Sequence, residues 1–474
     1  MKLIDPGRAR GVFCNRTLNM RSIRAVGCDM DYTLIHYDVH AWEQRAYEHV
    51  RERLHARGYP AGELRFDPEL FTRGLILDSE LGNVIKANRF GYVTRASHGT
   101  RLLTHEEQRQ TYAQVWVDLS EPRWVFLNTL FSLSEVCVYA QLVDLIDERP
   151  DAFDGGLGYE GLYRLVRDTM NATHLEGQLK AEVAAAPERF VVLDPELPLA
   201  LLDLKRAGKL LLLVTNSEWD YTRAMMAYGF DRFLPDGMTW RELFDVVIVQ
   251  ASKPGFFEVQ APLYEVVDVS GLLRPCAGTM KTGGAYLGGH ARLVEQHLGL
   301  AGDEILYVGD HVYADVHVSS RIRRWRTALV LRELELEIEA QQGFAEQRAR
   351  LETLMAEKTV REREQAQVRL GLQRVQGGYA VAPPVPLADA QERLRTLRLE
   401  LDALDQQIAP LARQAGQLVN ARWGPLMHAG NDKSRLARQI ERYADVYTSR
   451  VSNLMYLTPF GYLRAARGVL PHDF

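Results

Sequence analysis

Cysteine is scarce in this chain. Only Cys14, Cys28, Cys137 and Cys276 occur among 474 residues, and no two of them form a C-x-x-C pair. That excludes a disulfide framework and a cysteine-rich zinc site, and it fits a reducing compartment. A surplus of positive charge is also missing. Lys plus Arg number 57 against 62 Asp plus Glu, a formal net charge of −5. General nucleic-acid binding needs the opposite balance, although a local basic pocket for one phosphate is compatible with it. No run of about 18 apolar residues occurs, so no membrane span is expected. The opening MKLIDPGRARGVF places charge and proline where a signal peptide needs an apolar stretch, and none is expected there. The expectation is a cytoplasmic protein with neither nucleic acid nor membrane as a partner.

What is present is ordinary for a globular chain: 46% hydrophobic and 25% charged residues, enough for a sizeable core. At roughly 150 residues per domain the length corresponds to about three domains. Short apolar runs at Ile23–Cys28, Leu210–Val214, Val246–Val249, Ile305–Val308 and Thr327–Leu331 read as buried strands separated by helical patterns. This alternation predicts an α/β fold with a parallel sheet covered by helices. Chemistry in such sheets gathers at the carboxyl ends of the strands. There stand Asp29, then Thr215, Asn216 and Ser217, then Lys253, then Asp310. The 186 residues from Asp29 to Thr215 exceed one crossover helix and predict an inserted, helix-rich domain.

Residues 334–420 are dominated by Glu, Gln, Arg, Ala and Leu. From Leu387 through Leu394, Leu401, Ile408 and Ala415 to Leu418 the apolar positions step alternately by three and four, a heptad seam. The stretch from Phe344 to Val375 carries a weaker version, interrupted by Lys358, Arg361 and Gln365. Between them GGYAVAPPVP, residues 377–386, cannot continue a helix. An antiparallel helical hairpin follows, serving as a packed or oligomerising arm or as a partner-binding one.

Two acidic clusters carry the chemical signal. In VGCDMDYTL, Asp29 and Asp31 follow a strand with one residue between them, so one can attack a phosphate while the other handles a proton. In GDHVYAD, Asp310 suits Mg²⁺, which takes carboxylates, phosphate oxygens and water. Either cluster alone is compatible with a capping turn. With VTNS at 214–217 and SKPGFF at 252–257 in the same order, a joint site is the better reading.

These four segments resemble the motifs of the haloacid dehalogenase superfamily of phosphatases. FCNRTLNMRSIRAVGCDMDYTL, TRGLILDSELGNVIKANRFG, LNTLFSL, GDHVYADV, RYADVY and PFGYLRAARGVLPH further resemble the cytosolic purine 5′-nucleotidases, which favour IMP and GMP. The resemblance spans roughly residues 12–335 and 434–474. It implies a Rossmann-like catalytic core over 1–40 and 190–335, a cap for substrate specificity over 41–189, the helical arm over 336–425, and a C-terminal segment over 426–474 that packs back on the core.

By the same resemblance Asp29 is the nucleophile that becomes an aspartyl-phosphate, and Asp31 is the general acid and then base. Thr215 and Asn216 hold the phosphoryl group with Ser217 nearby, Lys253 neutralises it, and Asp315 orients Lys253 or metal-bound waters. Asp29, the Asp31 carbonyl and Asp310 hold Mg²⁺. Phe131 stacks on the purine, Arg167 reads its 6-oxo group, and Asn171, His174 and Lys180 line the substrate. Asn171, Leu175 and Ser132 stand where the family has Asp, Tyr and Asn. Tyr313, Arg321, Gln439, Arg442 and Tyr443 match a nucleotide effector site, but Asp118 replaces a basic residue beside it. The implied activity is a 5′-nucleotidase, with phosphate transfer to a nucleoside as a further reaction and a homo-oligomer, dimer or tetramer, as the assembly. Another small phosphoester as substrate, or a non-catalytic scaffold, are the competing readings.

Overall fold

Ten strands form one sheet in the computed structural model, which describes residues 7–153, 156–175, 177–276, 279–379, 386–466 and 468. In chain order they are β1 Val12–Cys14, β2 Ala25–Cys28, β3 Leu210–Val214, β4 Val246–Val249, β5 Leu263–Val266, β6 Leu273–Pro275, β7 Gly284–Gly288, β8 Ile305–Gly309, β9 Arg326–Val330 and β10 Val446–Thr448. Their spatial order is β1-β10-β9-β8-β2-β3-β4-β7-β5-β6. From β10 to β7 neighbours run parallel, and β1, β5 and β6 add antiparallel edges. The central strands are apolar along their length because both faces are covered; β2 and β4 are wholly buried. The chain leaves β2 toward β3 on one side and returns as β8 on the other, so β2 is a topological switch point where a crevice opens.

Three strands differ from the sequence expectation by one or two residues: β2 begins at Ala25, β8 runs on to Gly309, and β9 is shifted one residue earlier. β1, β5, β6, β7 and β10 were not expected. β10 joins the sheet through Asp445, whose carboxylate accepts from Arg16, Arg326 and the Thr327 amide.

The segment between β2 and β3 holds helices α1 Val39–Ala56, α2 Ser132–Glu148, α3 Tyr159–Leu175 and α4 Gln178–Ala185. It is not simply helix-rich. A five-stranded sheet whose described pairs are antiparallel runs from Ile76–Asp78 to Trp124–Phe126. Its strands escape sequence detection because polar Asp78, Asn83, Lys86 and Ser97 are buried in them. Asp78 is matched by a two-pronged Arg123 contact at 2.7 Å on each prong and by Tyr112.

The chain divides into two units, Met1–Glu335 with Leu426–Phe474, and Leu336–Pro425. In the second unit the helices Ala345–Gln376 and Leu387–Ala415 bury Leu354, Leu404 and Ile408 together, with Leu351 and Leu411 beside them. Lys358 and Arg361, which interrupt the apolar pattern, make ion pairs across to Asp405 and Glu400 at 2.5 and 2.8 Å. Residues 380–385 of the expected break lie outside the described ones.

Candidate active site

Asp29 is the first residue beyond β2, Thr215 the first beyond β3, and Asp310 the first beyond β8; Lys253 lies in the loop after β4. The parallel register brings these ends together. The Asp29 amide donates to Val308 of β8 and its carboxylate accepts from its neighbour Met30. Lys253 Nζ lies 2.7 Å from Asp29 and 2.8 Å from Asp315, and also donates to Tyr307 at 3.2 Å. Tyr307 stands opposite Gly27 in the sheet. A Cβ on Gly27 would come within 3.0 Å of that ring, so glycine there gives Tyr307 its path to Lys253. Gly309 does the same for Asp315, whose carboxylate would lie 2.5 Å from a Cβ at that position. Asp315 sits in a π-helical turn, Val312–His317, a geometry that often marks functional positions.

Burial disfavours the charge on Lys253, but Asp29 and Asp315 outweigh it and hold the ammonium well above its ordinary range. Burial and the neighbouring acids Asp315 and Asp310 raise the proton affinity of Asp29, against the opposing pull of Lys253. Burial pushes Asp310 up to about 7, with Arg73 opposing. Three carboxylates against Lys253 and the more distant Arg73 leave surplus negative charge in a buried crevice. Carboxylate oxygens of Asp29, Asp310 and Asp315 lie within 4.8 Å of one another. Oδ2 of Asp310 is buried without a hydrogen-bond partner. This donor set fits a hard divalent cation such as Mg²⁺.

Asp31 is held differently. Its carboxylate accepts from the Tyr37 hydroxyl and, at 2.6 Å, from Ser217. Its side chain is not in the carboxylate group, where the third member is Asp315, so the expectation that Asp31 meets a metal is left to its backbone. Ser217 in turn accepts from Lys180 at 3.2 Å, and Tyr37 meets Tyr221 at 2.9 Å. Thr215 is buried and caps the Ser217 amide. Asn216 clamps the Lys253 backbone, its amide oxygen accepting from the Lys253 N–H at 2.7 Å and its amide nitrogen donating to the Lys253 carbonyl at 3.1 Å. That clamp fixes the loop carrying the lysine.

Phe131 precedes α2 and packs edge-on against Tyr32 and Trp42, with ring centroids at 4.6 and 5.6 Å. Arg167 and Asn171 are exposed on α3, and their spacing with His174 puts all three positions on one helix face. The His174 side chain lies outside the described ones. Arg167 lies over the Tyr163 ring at 5.6 Å. Among the expected effector residues, Tyr313 and Tyr443 flank His317, with centroids at 5.2 and 4.2 Å. Both His317 ring nitrogens are buried without partners; burial lowers its pKa, as do the nearby Arg321 and Arg442. Arg442 lies over Tyr443, while Gln439 is half-buried on the same helix, Arg435–Tyr443. Asp118 faces Arg435.

Sequence reasoning missed Tyr37, Tyr307, Arg73 and His317. Tyr37 carried a local signal, standing six residues after Asp31, and Arg73 lies in the segment TRGLILDSELGNVIKANRFG, where no role was read for it.

The family model described as the 5' nucleotidase family matches residues 12–474. The chain belongs to this family. As a 5′-nucleotidase family member it is a phosphoric monoester hydrolase. It is 25% identical to "5'-nucleotidase domain-containing protein DDB_G0275467" of Dictyostelium discoideum, over 99% of this chain and 76% of that one. It is 26% identical to "5'-nucleotidase domain-containing protein 2" of Homo sapiens, over 96% of this chain and 82% of that one. Among solved structures an archaeal β-phosphoglucomutase from a Pyrococcus species aligns with 10% identity and a TM-score of 0.31, over 65% of this chain and 87% of that one. A superposition that loose carries nothing about activity. No helix among the described residues is long and apolar enough to cross a membrane.

Proposed function

We propose that this 5′-nucleotidase family member hydrolyses purine nucleoside 5′-monophosphates, IMP and GMP above others, in a Mg²⁺-dependent reaction through an aspartyl-phosphate on Asp29. The observation that carries it is the grouping at the switch point: Asp29 is within 2.7 Å of Lys253 and shares a crevice with Asp310 and Asp315. Asp29 attacks the phosphorus, the bond to the nucleoside O5′ breaks, and Asp31 delivers the proton that the leaving oxygen takes. A water then attacks the phosphorus, Asp31 takes its proton, and the acyl-phosphate bond breaks to restore Asp29. Lys253, fixed by Asn216 and Asp315, offsets the charge of the transferring group. Mg²⁺ held by Asp29, Asp310 and the Asp31 backbone supplies further charge neutralisation when bound. A nucleoside in place of water gives the phosphotransferase reaction.

In this reading residues 1–40 and 190–335 are the catalytic core and 41–189 the cap, which presents Phe131, Arg167, Asn171, His174 and Lys180 to the nucleoside. Residues 336–425 are a coiled-coil hairpin arm in a cytoplasmic homo-oligomer, and 426–474 close the core. The cluster of Tyr313, Arg321, Gln439, Arg442 and Tyr443 is the candidate effector site, weakened toward polyphosphates by Asp118. The test is phosphate release from IMP, GMP, AMP, pyrimidine monophosphates and a sugar phosphate, each with Mg²⁺ and with EDTA. Release from the sugar phosphate alone would replace this reading with a general small-phosphoester phosphatase. No release from any of them would leave the scaffold reading.

A further inference from the structure

Arg73 lies in the inserted segment, outside every catalytic motif, and its side chain is 1% exposed. A structural arginine that deep ordinarily spends its planar fork on one carboxylate. This one does not. Nε donates to the Asn128 carbonyl at 2.8 Å and Nη2 donates to the Asp310 carbonyl. The only carboxylate paired with it among the described residues, Glu333, is 3.7 Å from Nη1, and both Glu333 oxygens are buried without hydrogen bonds. Glu333 therefore balances the buried charge, while the directional bonds go to two neutral peptide groups. One belongs to the residue whose carboxylate has a free buried oxygen in the acidic crevice. The other opens the turn Asn128–Phe131, where the Phe131 amide donates to Thr129 Oγ1.

We infer that Arg73 is a positioning residue that holds the Asp310 loop and the Phe131 turn in one fixed relation, so that the metal side and the nucleoside side of the site are set by a single guanidinium. The inference rests on the proposed function for what those two ends bind. Its geometric reason is the fork: one planar group with donors diverging toward two loops fixes both carbonyl directions at once. A lysine ammonium keeps the charge but is a point donor without the rigid fork.

The experiment uses the full chain carrying Arg73→Gln, and Arg73→Lys in case the glutamine variant does not fold. Two quantities are read. The first is the Mn²⁺ dissociation constant from the free-ion electron paramagnetic resonance signal, which needs no turnover. The second is the ratio of kcat/KM for IMP to that for p-nitrophenyl phosphate, which has no nucleoside. Loss of a partner that orients a metal ligand typically weakens metal binding by about 10–100-fold. Both variants are expected to weaken Mn²⁺ by about tenfold and to lower the substrate ratio by a comparable factor. Arg123→Lys, which breaks the Asp78 pair in the same segment, is expected to lower Tm and to move neither quantity. Folded Arg73 variants that keep both quantities within about twofold of wild type overturn the inference, as does a change at one end only. A wild type inactive on IMP overturns the parent reading instead, and the Mn²⁺ arm still decides the metal-side half.

Discussion

Glu43 offers a quantitative test of how the segment above β2 is built. It lies on α1 with no exposed surface. One oxygen accepts from the Ser134 amide at 2.9 Å and from its hydroxyl at 2.7 Å, which ties α1 to the start of α2 just beyond Phe131. The other oxygen faces the buried Tyr32 hydroxyl, without the geometry of a full hydrogen bond. Burial pushes the carboxyl from 4.5 up to about 7, with the Ser134 bonds opposing. The folded state therefore holds a proton that the unfolded state has already lost between those values. Stability falls as pH rises through that window and is flat on either side of it. The shift corresponds to about 3 kcal/mol. Glu43→Gln removes the titration, because the amide oxygen still accepts from Ser134 and the amide nitrogen faces the Tyr32 hydroxyl. Urea unfolding of wild type and variant from pH 5 to pH 8.5 reads the effect. The advantage of the variant should grow by about 3 kcal/mol across that range. Parallel curves with a constant offset would refute the protonated, buried Glu43 and the sign worked out for it.

Asp29→Asn should abolish turnover and the acid-stable trace of a phosphoenzyme while leaving the circular dichroism spectrum unchanged; normal hydrolysis removes Asp29 as nucleophile. Asp31→Asn should slow turnover by ~10²–10⁴-fold, the usual contribution of a positioned acid–base group, and a burst of product without steady turnover would locate the larger defect in the second step. Deleting residues 345–420 with a short linker should leave phosphate release intact and change the mass seen by light scattering; loss of the phosphoenzyme in a folded deletion counts against that division. IMP should exceed AMP in kcat/KM, because Arg167 offers only donors to the base edge and an unmatched buried donor costs ~1–3 kcal/mol. Asn171→Asp should then raise GMP relative to IMP, and equal wild-type rates on AMP and IMP would remove Arg167 from base reading.

The catalytic strands were legible because each is a short apolar run ending in a polar residue, a pattern that buried parallel strands cannot avoid. β7 was not, since Gly284–Gly288 is glycine-rich and takes its place by pairing with β4. The inserted sheet was missed because polar residues are buried in it, some held by partners distant in sequence, as Asp78 is by Arg123, 45 residues away. The same physics hid Arg73, whose two acceptors lie 55 and 237 residues away. Motif spacing reports local chemistry. It is silent on the side chains that reach across the fold to aim it.

The two motif carboxylates show why that aiming decides the chemistry. Asp29 and Asp31 are one residue apart in sequence yet meet opposite surroundings. Asp29 faces an ammonium and two other carboxylates, so it is buried and charge-paired. Asp31 faces hydroxyls: Tyr37 on one oxygen and Ser217 on the other. A hydroxyl can donate to a carboxylate and accept from a carboxylic acid, so this shell accommodates both protonation states of Asp31, as the proposed acid–base role requires. Lys180 donates to Ser217 and leaves that hydroxyl's own proton for Asp31. The proposed division of labour between nucleophile and acid–base rests on which neighbours each carboxylate is given, as it does wherever paired carboxylates take different roles. Removing the Asp31 shell alone, by Ser217→Ala with Tyr37→Phe, leaves Asp29 untouched and strips Asp31 of both hydroxyl partners.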